Sequence, residues 1–479
     1  MTIDDCGLNA SLVAIIALST MTCRAALSAD VGRADSSPYG ITLPKLFSDG
    51  MVLQRDMPVP VWGLADPGEK VTVKVAGQEA SAVADDKRQW LVKLPAMQAG
   101  GPFEMTVSGK NTLVVKDVLV GEVWICAGQS NMEKPIGPHP GQKPCPNWEQ
   151  EIAGANFPEM RLLEVPPKGA PKPVTDVSVQ WLVCTPANIR IKRGGGHGYS
   201  AAAYFFGREL HKELRVPVGL IAASASGTRC EPWTPHGEGV PPNNRPDLFN
   251  GIINPLIPFA MRGVIWYQGE SNMGDGMKYC DRMKALIAGW RKAWGQGDFP
   301  FYFVQLPPAD YGADPLKLPE LREAQAATLV LPNTGMAVTI DIGSYPDCHA
   351  PNKQDVGKRL ALSGLAKVYG RGNLVYSGPL YKSMSVEGGK VRIRFDHIGG
   401  GLAARDGNAK ELTWFEMAGA DRKFVKAGAQ IDGETVLVSN DAVAQPAAVR
   451  FGWHQQAVPN LMNKEGLPAA PFRTDDWPR

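Results

Sequence analysis

The chain has 479 residues, of which 20% are charged and 44% hydrophobic, with a formal net charge of +2. This length suffices for two or three domains with large cores. The small net charge argues against nucleic acid as the main partner, because there is no basic excess to neutralise phosphates. The 52 glycines and 40 prolines indicate many turns, as in β-rich parts of proteins.

The first residues of the chain predict an export signal over 1–29. A short apolar core at 10–18 is followed by small residues, and we expect cleavage after Ala29. Asp4 and Asp5 depart from this pattern, since export signals ordinarily begin with Lys or Arg. The core is too short to span a bilayer, and no later apolar run approaches the roughly 18 residues of a membrane helix. We therefore expect an exported protein, periplasmic or secreted, without a membrane segment in its mature form.

Residues 42–115 predict an N-terminal β module. Short runs such as Lys70–Val75 and Gln89–Leu94 alternate apolar and polar residues, and Gly or Pro interrupts them at the spacing typical of a sandwich. The pattern favours a structural role over independent sugar binding.

The central region, 116–370, is predicted to be an α/β domain. Helical periodicity alternates with apolar strands, which indicates a parallel sheet with helices on both faces. The predicted helices are 201–214, 279–294 and 318–330, and the strands between them are 216–223, 300–306 and 336–341. Residues 371–479 return to short alternating strands and predict a C-terminal β-rich region.

Polar residues follow three apolar strands of the central region. Ser130 follows the strand that ends at Gly128, an amide- and acid-rich turn (268–272) follows the strand at 263–267, and Asp347 and His349 follow the strand at 336–341. Parallel sheets bind ligands at the carboxyl ends of their strands. Ser, then amides, then Asp and His are the components of an acyl-transfer site. The alternative for the serine is a helix N-cap.

These segments resemble the sialate O-acetylesterase-like group of SGNH hydrolases, which is also grouped with bacterial carbohydrate acetylesterases. The resemblance extends from about residue 40 to the end. The matching stretches are 128–132, 266–272, 347–349 and 352–357, together with 46–54, 203–207 and 472–478. It implies a three-layer α/β/α SGNH catalytic domain with flanking β-sandwich-like parts. It also implies a serine esterase that removes O-acetyl groups from carbohydrates such as sialic acid or plant polysaccharides.

Ser130 is the predicted nucleophile and His349 the predicted base, because a serine hydroxyl needs an imidazole within hydrogen-bond reach to accept its proton. Asp347 is our choice to orient His349, and Asp341 at the preceding strand end is the competitor. Many SGNH enzymes place the acid three residues before the histidine, whereas this chain has Asp-x-His. Ala350 also stands where the family usually has proline.

An oxyanion hole is predicted from three donors: the backbone amides of Ser130 and Gly227, and a side-chain amide for which we favour Gln268 over Asn272. Relatives often have Gly-Gly-Thr where this chain has Ser226 before Gly227.

Substrate contacts are predicted near these groups, because aromatic faces with adjacent charged or amide groups suit pyranose rings. The predicted contacts are Asn272, Glu270, Arg229, Trp233 and His197.

No metal or cofactor is expected, since the sequence lacks His-Glu-x-x-His, Cys-x-x-Cys and phosphate-loop motifs. The expected partner is an acetylated carbohydrate, and neither the oligomeric state nor a disulfide pair is assigned. The alternative function, from a different class, is a carbohydrate-binding protein whose catalytic site has lapsed.

Overall fold

Residues 52–108 form six short strands, in agreement with the predicted alternation. The computed structural model describes residues 40–191, 198–237, 239–240 and 243–477. The strands are β1 (Val52–Gln54), β2 (Val59–Leu64), β3 (Lys70–Val75), β4 (Gln78–Val83), β5 (Gln89–Leu94) and β6 (Gly100–Ser108). β2 pairs with β5, and β3 lies between β4 and β6, all antiparallel. Alternate residues of β3 and β5 are buried, as a sheet with one solvated face requires.

The central sheet begins with a 17-residue strand that also pairs with the N-terminal strands. Its strands are β7 (Thr112–Gly128), β8 (Phe157–Glu164), β9 (Leu182–Cys184), β10 (Val218–Ser224), β11 (Gly263–Tyr267), β12 (Phe301–Gln305) and β13 (Thr334–Val338). Their order is β13-β12-β11-β7-β10-β8-β9, with β9 antiparallel to β8 and the other neighbours parallel. β7 also pairs with β1 and β6, so it runs unbroken through the predicted boundary at 115/116.

Six α-helices accompany this sheet in the described residues. They are α1 (Ser130–Glu133), α2 (Trp148–Ala153), α3 (Ala201–Leu214), α4 (Lys278–Trp294), α5 (Lys317–Ala327) and α6 (Lys353–Lys367). α3 packs against α6, and α4 packs against α5. A Cβ at Gly357 of α6 would lie 2.5 Å from the backbone nitrogen of Phe206, so α3 and α6 approach closely only because this residue is glycine. The arrangement is the α/β/α class that the sequence predicts.

The C-terminal region forms small antiparallel sheets. Its strands are β14 (Leu380–Glu387), β15 (Lys390–Asp396), β16 (Leu402–Ala404), β17 (Phe415–Ala418), β18 (Val425–Lys426), β19 (Gly428–Asp432), β20 (Thr435–Ser439), β21 (Ala448–Phe451), β22 (Leu461–Asn463) and β23 (Phe472–Arg473). They pair as β14-β15-β20-β19, β18-β17-β21-β23 and β16-β22. Their buried residues form a separate hydrophobic core, whereas the N-terminal strands share the core of the central sheet.

Residues 40–479 form one compact unit. The predicted export signal over 1–29 lies outside the described residues. Among those that are described, no helix has the length and apolar character needed to cross a membrane.

Candidate active site

Ser130 lies at the carboxyl end of the central strand. β7 ends at Gly128, whose φ is +143° and where a Cβ would lie 2.1 Å from the carbonyl oxygen of Tyr267. Only glycine allows this turn beside β11. Ser130 then begins α1, is partly exposed, and has its Oγ 3.0 Å from Nε2 of His349. The turn therefore places the hydroxyl of Ser130 within hydrogen-bond reach of the imidazole of His349.

His349 is held by Asp347 on its other side. Nδ1 of His349 lies 3.0 Å from Oδ1 of Asp347, and the same oxygen accepts the backbone N–H of His349 at 2.8 Å. Burial lowers the pKa of His349, and the charge and hydrogen bond of Asp347 partly oppose this shift. The imidazole is thus mostly neutral at neutral pH, which is the form that can accept a serine proton.

Asp341, the competing acid, is engaged elsewhere. Its carboxylate forms two hydrogen bonds of 2.7 Å with the guanidinium of Arg359 on α6. Among the described residues, Asp347 is the carboxylate in contact with the imidazole of His349. The geometry therefore separates the two acids that the sequence leaves open, although the catalytic role of Asp347 stays a prediction.

Two backbone N–H groups near Ser130 are available to an oxyanion. Within the described chain, the amides of Ser130 and Gly227 have no acceptor. Gly227 has φ +69°, and its loop is tied to β7 because the N–H of Ala225 donates to the carbonyl of Gly128 at 3.0 Å. Ser226, where relatives often have glycine, donates through Oγ to Glu133 at 2.6 Å. This bond joins the loop of Gly227 to the helix that Ser130 begins.

The side chain of Gln268 lies between these two elements, fully buried. Its Nε2 donates to Oε1 of Gln129, to the carbonyl of Thr228 and to Oδ1 of Asn272, at 3.1, 3.1 and 2.8 Å. Its Oε1 accepts from the hydroxyl of Tyr279 at 2.8 Å. The two N–H groups of Gln268 thus already serve three acceptors, two of which belong to the residues next to Ser130 and Gly227.

Asn272 is also fully buried and bonded. Its Oδ1 accepts the backbone N–H of Cys230 at 2.9 Å, and its Nδ2 donates to Glu231 and Asp275 at 3.0 and 2.8 Å. The hydrogen bonds of Asn272 therefore connect neighbouring segments of the chain, and its side chain does not face open space.

Sequence reasoning missed the network behind the triad. Nδ2 of Asn131 donates to Glu270 and to the carbonyl of Cys348, and Oδ1 of Asn131 accepts from Nζ of Lys353. Burial raises the pKa of Glu270 and lowers that of Lys353 to about 7. The loop that carries His349 is therefore fastened to α1 through Asn131. Both Asn131 and Lys353 belong to matched stretches, but nothing in their spacing reveals that they meet.

The residues that we predicted to contact a sugar lie in different environments in the structure. Trp233 is fully buried. Its Nε1 donates a hydrogen bond to the hydroxyl of Thr228, and its ring packs edge-on against Trp266. The ring therefore offers no face to a sugar. Arg229 is exposed but forms salt bridges with Glu231 and Asp275 at 2.9 Å. Glu270 is half-buried and accepts a hydrogen bond from Asn131, and His197 lies outside the described residues.

Comparisons with known proteins identify the family of this chain. Residues 120–365 match the family model described as carbohydrate esterase, sialic acid-specific acetylesterase. Human sialate O-acetylesterase is 33% identical over 405 residues, which cover 72% of this chain and 74% of the human protein, and the mouse protein is 31% identical over 449 residues, covering 75% and 80%. The crystal structure of a carbohydrate acetylesterase from Xanthomonas citri superposes with a TM-score of 0.84 at 42% identity, covering 91% of this chain and all of that one. The chain belongs to the sialic acid-specific acetylesterase family of carbohydrate esterases and is a carboxylic ester hydrolase.

Proposed function

We propose that this protein removes O-acetyl groups from carbohydrates through an acetyl-enzyme on Ser130. The observation that carries the proposal is the line from Ser130 Oγ through the imidazole of His349 to Asp347, with two contacts of 3.0 Å. The relatives are named for acetyl esters of sialic acid or of carbohydrates, which supports an acetylated sugar as the substrate.

In the first half of the reaction, Oγ of Ser130 attacks the acetyl carbonyl while Nε2 of His349 accepts the serine proton. The carbonyl oxygen gains negative charge and meets the N–H groups of Ser130 and Gly227. Each such donor is typically worth about 3 kcal/mol in the transition state. The tetrahedral intermediate then collapses, the sugar hydroxyl leaves with the proton from His349, and the acetyl group stays on Ser130.

In the second half, water replaces the sugar. Nε2 of His349 accepts a proton from the water, the hydroxide attacks the acetyl group, and acetate leaves as Oγ of Ser130 recovers its proton. Asp347 keeps the remaining imidazole proton on Nδ1 and stabilises the cation that forms in both halves.

Gln268 acts in this proposal as a positioning residue. Its amide bonds Gln129, which precedes Ser130, and Thr228, which follows Gly227. The hydrogen bonds therefore fix the spacing of the two backbone donors, and catalysis by preorganised dipoles depends on that spacing. Direct donation by Gln268 to the oxyanion would require one of these bonds to break.

The proposal is tested by acetate release from a panel of acetylated substrates. The panel contains O-acetylated sialic acid, xylan, xyloglucan and pectin, with the Ser130→Ala variant as the blank. We expect release from at least one carbohydrate that disappears in the variant. Hydrolysis confined to simple aryl acetates, or equal release by both proteins, would contradict the proposal.

A further inference from the structure

Cys348 lies between the acid and the base of the proposed triad, and its thiol is near both. Its Sγ is 3.6 Å from Nδ1 of His349, which is itself 3.0 Å from Oδ1 of Asp347. The three ligand-type atoms all lie within 4.8 Å of one another. Side-chain exposures of 21% for His349 and 29% for Asp347 leave the cluster open to solvent.

We propose that Asp347, Cys348 and His349 form an inhibitory site for a thiophilic divalent cation, Zn²⁺ above all. Thiolate, imidazole and carboxylate are the three ligand types that zinc takes in proteins. A fourth position would be filled by water, because only three protein ligands meet there. No other group of three such residues is close enough among the described parts of the chain.

Two of the three separations between ligand atoms are close to those of a tetrahedral site, and the third, from Sγ of Cys348 to Asp347, is at most 4.8 Å. With Zn–S near 2.3 Å and Zn–N and Zn–O near 2.0 to 2.1 Å, tetrahedral angles put sulfur and nitrogen about 3.6 Å apart and nitrogen and oxygen about 3.3 Å apart. The corresponding distances are 3.6 and 3.0 Å. A cation entering between Nδ1 of His349 and Oδ1 of Asp347 therefore requires movements of only a few tenths of an ångström in these pairs.

Coordination through Nδ1 disables the base by changing its tautomer. In the resting site the imidazole proton belongs on Nδ1, facing Asp347, and Nε2 is free to accept the proton of Ser130. A cation takes the lone pair of Nδ1, so the imidazole proton moves to Nε2. That nitrogen then faces Ser130 as a donor and cannot accept its proton.

The proton count is one released per cation bound. The thiol of Cys348 loses its proton to solvent when sulfur coordinates, the imidazole keeps its single proton on the other nitrogen, and Asp347 is already a carboxylate. No oxidation or reduction occurs.

The first test is a zinc titration of hydrolysis in which each variant serves as its own reference. We expect zinc to inhibit the wild type, and Cys348→Ala and Cys348→Ser to raise the half-inhibitory concentration at least about tenfold, as loss of one ligand should. His236→Ala, which removes an exposed histidine outside the cluster, should respond to zinc as the wild type does. Equal sensitivity in wild type and Cys348→Ala, or loss of sensitivity in His236→Ala, would overturn the proposal.

The second test does not need esterase activity, so it separates this proposal from the proposed function on which its inhibitory consequence rests. Co²⁺ is added to Ser130→Ala, whose zinc ligands are intact, and the near-ultraviolet absorption of a cobalt–thiolate bond is recorded. We expect the band in Ser130→Ala and its loss in Ser130→Ala combined with Cys348→Ser. Absence of the band in Ser130→Ala, or its persistence without Cys348, would contradict a site built on this thiol.

Discussion

The turns that follow β7 and β11 carry similar residues on neighbouring strands, yet the structure uses them differently. After β7, the hydroxyl of Ser130 is partly exposed and contacts an imidazole. After β11, Gln268 and Asn272 are fully buried, and hydrogen bonds occupy their amides. A polar strand end can thus supply a reacting group or hold one in place. Exposure and the number of bonds already made distinguish the two roles.

The largest expected effect separates the serines of the two turns. Ser130→Ala should lower kcat/KM by at least roughly 10⁴-fold, because the nucleophile and its base act as a unit. Ser271→Ala, the matched change after β11, should retain activity within a few-fold. Steady-state kinetics on an aryl acetate, with thermal midpoints for both variants, provide the comparison. If Ser130→Ala retains activity within tenfold of wild type, the serine mechanism is wrong.

The next effect distinguishes the two acids. Asp347→Asn should lower kcat by about 10²- to 10⁴-fold, since it removes the group that fixes the tautomer of His349. Asp341→Asn instead weakens the pair with Arg359 and should destabilise the fold by up to roughly 3 kcal/mol, with little change in kcat per folded molecule. Kinetics and thermal melts of both variants measure this. The reverse pattern would make Asp341 the triad acid.

Gln268→Ala should lower both kcat and the stability of the fold. It removes the bonds of the Gln268 amide to Gln129, Thr228 and Asn272. A polar group left unpaired in this way costs about 1–3 kcal/mol, and the loop of Gly227 is freed. We expect a lower thermal midpoint and a kcat reduced by roughly 10- to 100-fold, with KM nearly unchanged. Kinetics at a temperature where the variant is folded test this. A fall in stability without any loss of kcat would reduce Gln268 to a structural residue.

The pH profile should reflect the environment of His349. Activity requires neutral His349, so it is present above the pKa of this group and falls as the pH drops through it. Because burial lowers this pKa from its usual value near 6.5, the acidic limb of kcat/KM should have its midpoint below about 6.5. Asp347→Asn removes the two influences that raise the pKa, and should move that limb further toward acid. An acidic limb that moves upward in the variant would contradict this assignment.

The smallest expected effect is that of a chelator. EDTA should not lower the rate, since the proposed chemistry uses Ser130, His349, Asp347 and backbone N–H groups. An unchanged or slightly higher rate fits both the serine mechanism and an inhibitory cation site. Loss of activity with EDTA that zinc restores would contradict both.

Periodicity alone located much of the fold. The predicted helix at 201–214 has the bounds of α3, and the strands predicted at 70–75 and 89–94 are β3 and β5. Helix α6 was not predicted, because the charged residues Lys353 and Arg359 lie on its buried side. They interrupt the apolar periodicity by which a helix is recognised in the sequence. The 17 residues of β7 were divided between two predicted domains, since composition changes along a strand that two sheets share.

The site was predictable where residue type implies chemistry. Ser130, Asp347 and His349 are recognised by what each group can do, and the structure brings them together. The roles of amides and aromatics depend on which atoms are already bonded, and sequence carries no such information. Trp233 illustrates this, since the same aromatic could stack on a sugar or fill a core, and here it is buried.

Trapping the covalent intermediate tests the central claim most directly. The protein is mixed with an aryl acetate, quenched in acid within the turnover time and digested, and the peptides are analysed by mass spectrometry. We predict one acetyl group on the peptide that contains Ser130, and none there in Ser130→Ala or in protein quenched before substrate is added. Steady turnover with no acetyl group on Ser130 at any quench time, or with the acetyl group on another residue, would contradict the account.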